Sequence, residues 1–111
     1  MTRYEEALKE LEDSTPYYIK KYIKNNTNPQ FTRQYHRYEN KRTNIIRNRQ
    51  MIEACEQILT RHTNEGDHHE FNTQEIERFK KILDRMCNGL NLTFTQFLFL
   101  ISYGKQSFIS P

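Results

Sequence analysis

The chain has no tryptophan and only three glycines, three prolines and two cysteines among its 111 residues. Few glycines and prolines mean few of the residues that reverse a chain, which argues against a many-turned β fold and leaves long stretches without helix breakers. Two cysteines, Cys55 and Cys87, are too few for a disulfide-dense scaffold. The opening MTRYEEALKELED is charged and amphipathic, unlike a secretory leader. The expected setting is therefore a reducing cytoplasm with two buried thiols. No apolar run approaches the ~18 residues of a membrane span, so no membrane partner is expected.

Chemical motifs are missing as well. There is no Gly-rich phosphate loop, no GxSxG, no HExxH and no paired CxxC. Both cysteines fall on apolar faces, where a thiol behaves as a small hydrophobe rather than a nucleophile. The acidic, His-rich run at 62–70 contains His62, Glu65, Asp67, His68, His69 and Glu70 but has no recognised metal spacing. The expectation is a protein without catalytic residues, cofactor or metal.

What is present is polar and aromatic. Hydrophobic residues make up 35% and charged residues 28%, whereas globular chains are usually nearer half apolar. Long solvated helices with a narrow apolar seam would explain this, and so would a core completed by a partner. Seven tyrosines and seven phenylalanines exclude disorder along the whole chain.

The pattern reads as helices throughout. Thr2 and Glu5 have capping-box spacing before a helix over 3–13 with Tyr4, Ala7, Leu8 and Leu11 on one face. Thr15 and Pro16 predict a second helix over 16–24, capped by Thr15. Asn28-Pro29 opens a stretch without Gly or Pro, in which Tyr38, Ile45, Ile52 and Leu59 recur every seven residues. This predicts one amphipathic helix over 29–61, ~45 Å long. Asn72 with Glu75 starts a helix over 73–88 that Gly89 stops. A last helix over 94–103 is apolar on all sides, with a strand as its alternative. Such a helix belongs in the centre of a core or in an oligomer interface, and Phe94, Phe97, Leu98 and Ile101 are the interface candidates. The expected architecture is one all-α domain, 1–111, of four to five helices. It is organised by the long helix, closed by a C-terminal helical hairpin over 73–103, and dimeric.

Charge is the most informative feature. Residues 1–16 carry net −3, residues 50–111 net −2, and residues 17–49 net +8. The basic stretch holds Lys20, Lys21, Lys24, Arg33, Arg37, Lys41, Arg42, Arg47 and Arg49 against Glu39 alone, with Tyr17, Tyr18, Tyr22, Phe31, Tyr35 and Tyr38 interleaved. Lys and Arg replace phosphate counterions, and aromatic rings stack on unpaired bases. The leading expectation is nucleic-acid binding through those nine cations, with Tyr35 and Tyr38 stacking or packing. An acidic protein docked on the same surface is the alternative, as in a small inhibitor or adaptor. A structural subunit, whose basic face merely pairs with the acidic first helix, is the third. The outline of a helix–turn–helix over 73–103 is weakened by a final helix offering only Thr95 and Gln96 as base-edge contacts.

Overall fold

The structure, a computed structural model, describes residues 1–21, 28–64 and 71–107. The described residues form six α-helices and no strand: α1 (Arg3–Ser14), α2 (Tyr17–Lys20), α3 (Pro29–Arg47), α4 (Arg49–Asn64), α5 (Thr73–Cys87) and α6 (Phe94–Ser107). The all-α class read from the sequence is the class observed.

Helix starts follow local chemistry. The Thr2 hydroxyl accepts from the Glu5 N–H at 3.1 Å while the Glu5 carboxylate accepts from the Thr2 N–H at 3.1 Å. Asn72 and Glu75 repeat the exchange at 2.8 and 3.0 Å, and Thr93 and Gln96 do so for α6 at 3.1 and 3.0 Å. The Asn28 side chain caps α3 by accepting from the Gln30 N–H at 3.0 Å, with Pro29 in the first turn. At α2 the expected cap is absent. The Thr15 hydroxyl instead donates back to the Leu11 carbonyl at 2.7 Å, closing α1, and α2 starts after Pro16 without a side-chain cap. The rest of the segment predicted over 16–24, with Tyr22, Ile23 and Lys24, lies outside the described residues.

The helix expected over 29–61 is divided at Asn48, whose φ of −93° and ψ of 13° leave the helical region. Asparagine favours local side-chain bonding over helix continuation and is a weak point in such a run. The backbone hydrogen bonds of both helices nevertheless reach this residue. The Asn48 N–H donates to Asn44 O at 3.1 Å, and Ile52 N–H donates to Asn48 O at 2.8 Å. Ile45 before the break and Ile52 after it are both buried in one core.

That core joins Tyr4 and Ala7 of α1, Ile45 of α3, Ile52, Cys55 and Ile58 of α4, and Ile76, Phe79, Ile82 and Met86 of α5. Phe99 and Leu100 of α6 complete it, and Tyr103 packs against it. The Phe79 ring lies 5.0 Å from Phe71 and 5.0 Å from Phe99, edge-on or tilted, as aromatic quadrupoles prefer. Helix α6 is not buried on all sides, however. Phe94, Phe97, Leu98 and Ile101 are exposed, as are Leu90 and Ile46.

Helix α5 ends in a Schellman turn. Leu90 N–H donates to Arg85 O at 3.0 Å and Gly89 N–H to Met86 O at 3.1 Å, with Gly89 at φ +70°. The turn presses on α3: a Cβ at position 89 would stand 2.6 Å from the Lys41 Cα. The Asn44 amide donates to the Gly89 carbonyl at 2.9 Å, fixing the contact.

Candidate nucleic-acid interface

Positions three and four apart on a helix share a face. On α3 this brings Arg33, Arg37, Asn40, Asn44 and Arg47 into one stripe, roughly 21 Å long at 1.5 Å per residue. Arg33, Arg37 and Arg47 are exposed and form no ion pair among the described residues. Lys41 stands at the border between this stripe and the core. It is half-buried and lines two hollows of about 250 and 270 Å³, the first shared with Thr15, Pro16, Ile19 and Arg37. Arg42 is exposed on the other flank of α3, across the buried line of Tyr38 and Ile45.

Two further cations of the predicted set, Lys20 and Arg49, are held by carboxylates. Lys20 Nζ donates to the Glu12 carbonyl at 2.9 Å and lies 3.7 Å from its carboxylate. Arg49 bonds Glu53 at 2.8 Å, one helical turn on, and its guanidinium lies 4.9 Å from the Tyr4 ring centre. Hydrogen bonding to Glu53 pushes the Arg49 pKa further up, so its charge is permanent but locally satisfied. Lys21 is exposed, with its ammonium 5.7 Å from the centre of the Tyr17 ring. Lys24 lies outside the described residues.

The tyrosines divide likewise. Of the two roles open to Tyr38, packing is the one observed: it is buried, and its hydroxyl donates to the Glu12 carboxylate. Burial first, and then this bond, push its pKa up to about 12. Tyr35 is half-buried, edge-on to His36 at 5.8 Å. Among the described tyrosines, Tyr17 and Tyr18 are the most open to solvent, the latter 5.4 Å from Phe31.

The helix–turn–helix outline is realised only as a hairpin. Its exposed residues on α6 are mainly Phe94, Phe97, Leu98 and Ile101, with Thr95 and Ser102 beside them as the few polar groups. From residue 65 to residue 70 the His-rich run lies outside the described residues. Among the described residues, no group of three His, Cys, Asp or Glu stands together as metal ligands would. No described helix is long and apolar enough to cross a membrane. Compared with protein-family models, with curated proteins and with solved structures, the chain finds no match.

Proposed function

We propose that this chain is a small non-catalytic nucleic-acid-binding protein that lays the Arg33–Arg37–Arg47 face of α3 along a phosphate backbone. One observation carries the reading. Lys20 and Arg49 sit against carboxylates, whereas Arg33, Arg37 and Arg47 stay solvent-exposed on one helix face with no acidic neighbour paired to them among the described residues. A face held in this state is stabilised by releasing counterions from phosphate. Lys41 stands at its border and adds to the positive field, while Arg42 lies on the opposite side of the buried Tyr38–Ile45 line. The exposed rings of Tyr17 and Tyr18 offer π-faces to unpaired bases, and Tyr38 acts as a packed support.

The test is binding to mixed-sequence single- and double-stranded DNA and RNA over a salt series. For B-DNA the expected slope of log K against log salt is about −3 to −4.5, corresponding to roughly three to five phosphate contacts at −0.9 each. Arg33→Glu with Arg37→Glu weakens binding by about two orders of magnitude, since each change removes a contact and adds a repulsion. Lys20→Gln leaves it nearly unchanged, its charge being already paired. Absence of binding at low salt would sink this reading, and a stoichiometric acidic protein captured through the same arginines would replace it.

A further inference from the structure

Helix α6 buries one side and leaves the other bare. Phe99 and Leu100 are buried and Tyr103 is half-buried, whereas Phe94, Phe97, Leu98 and Ile101 are 75%, 47%, 48% and 39% exposed. Positions 94, 97, 98 and 101 follow the i, i+3, i+4, i+7 rule of a helix–helix seam. An aromatic side chain carries about 150–250 Å² of surface, so the four residues together present on the order of 400 Å² of apolar area. That is as large as the whole largest patch of a typical monomer. It is also about half of the ~800 Å² that each side of a stable complex buries, which is the size of an apolar core awaiting a polar rim.

The seam's composition and order identify what covers it. No charged residue occurs from Leu90 through Gly104, so the face selects neither an acidic nor a basic partner. It also sets no like charges against each other when it meets its own copy. The intervals along the stripe, three, one and three, read the same in both directions. Two α6 helices related by a two-fold axis between positions 97 and 98 therefore stay in register along the whole stripe. Phe94 then meets Ile101 of a second copy, and Phe97 meets Leu98, so each contact pairs a ring with a branched aliphatic side chain. A parallel arrangement would crowd ring on ring at one end and leave the aliphatic end loose. Antiparallel packing also sets the two helix dipoles head to tail. Beside the stripe lies a hollow of about 420 Å³, walled by Met51, Leu92, Phe94 and Phe97 with Arg47 and Asn48. A membrane surface is the poorer fit, because interfacial helices carry Lys and Arg beside their apolar stripe.

We infer that the exposed stripe of α6 pairs with the same stripe of a second copy in antiparallel fashion, giving a two-fold homodimer. Sedimentation of the full chain over a concentration series should show conversion from one chain to two, with a dissociation constant on the order of micromolar. Leu98→Asp should weaken this by about a hundredfold or more while leaving the helical circular dichroism unchanged, since the side chain is already half in solvent. Phe94→Asp, at the most exposed position of the stripe, serves as the second variant should Leu98→Asp fold poorly. Orientation is read by cross-linking. A mixture of Phe94→Cys and Ile101→Cys chains should give disulfide-linked heterodimers, and Phe94→Cys alone should not. A wild-type chain that remains single at the highest concentration overturns the proposal, as does co-sedimentation of that single chain with anionic vesicles. Self-linking of Phe94→Cys in place of the mixed pair overturns the antiparallel arrangement. None of these measurements involves nucleic acid, so their outcome is separate from that of the arginine face.

Discussion

Position 89 has room for a hydrogen and nothing more. Its φ of +70° is one that L side chains rarely adopt, and the nearest atoms to an added Cβ are the Lys41 Cα, Cβ and carbonyl oxygen rather than a yielding side-chain tip. Gly89→Ala is therefore expected to cost about 2–4 kcal/mol, the left-handed strain adding to a displacement of α5 from α3. Urea unfolding checks it: a midpoint unchanged from the native chain would mean that the two helices are not held by this contact. The stop at Gly89 could be read from the sequence, because a glycine after a helical run is a local signal. Its pressure on Lys41 could not be, because it joins residues far apart in the chain. The cations show the same division. Arg49 with Glu53 is an i, i+4 pair visible in the sequence, whereas the pairing of Lys20 with Glu12 depends on how α2 turns back across the end of α1.

Among the elements, α3 and α4 behave as one seam with a break in it. The heptad spacing of Tyr38, Ile45, Ile52 and Leu59 predicted a shared buried face, and three of the four are buried with Leu59 packed against the core. The break at Asn48 left no trace in that spacing, because hydrophobic periodicity reports which face is covered and not whether the axis bends. Hydrogen bonding through the junction makes a specific demand, since the Asn48 N–H still has an acceptor 3.1 Å away. Asn48→Pro should cost about 3 kcal/mol or more, while Asn48→Ala, free to take the same φ and ψ, should shift stability by less than about 1 kcal/mol. Thermal or urea unfolding of both variants decides the matter, and equal stability of the two would contradict the Asn48 N–H bond. Helix α6 was read as apolar on all sides, with Phe94, Phe97, Leu98 and Ile101 as interface candidates. In the fold, the half that turns inward is the one whose Phe99 and Tyr103 rings meet Phe71 and Phe79.

At the scale of the whole molecule, the chain is a rod. Its long dimension is 56 Å against 28 and 27 Å across. The two titratable groups with the largest upward displacement sit in different parts of it. Cys55 lies in the main core, where burial first and then the nearby Cys87 push its pKa from 9.0 to about 12. Tyr38 lies between α1 and α3 and rises from 10.0 to about 12. In both cases the fold prefers the protonated form and the unfolded chain releases its proton first. Their contribution to stability is thus complete below about pH 9 and lost as the pH climbs toward 12. A urea midpoint followed from neutral to alkaline pH should hold steady and then fall, less steeply in Cys55→Ala. A flat profile would contradict the burial of both groups. Helix α6 begins beside Asn44 and Met51 and ends beside Phe71, so it runs in the same sense as α4. Two rods joined tail-past-tail through that helix would aim their arginine-bearing ends in opposite directions. Such an assembly would clamp no single duplex from both sides; it would tie one strand to another, and mixing it with long nucleic acid would produce bridged networks instead of discrete complexes.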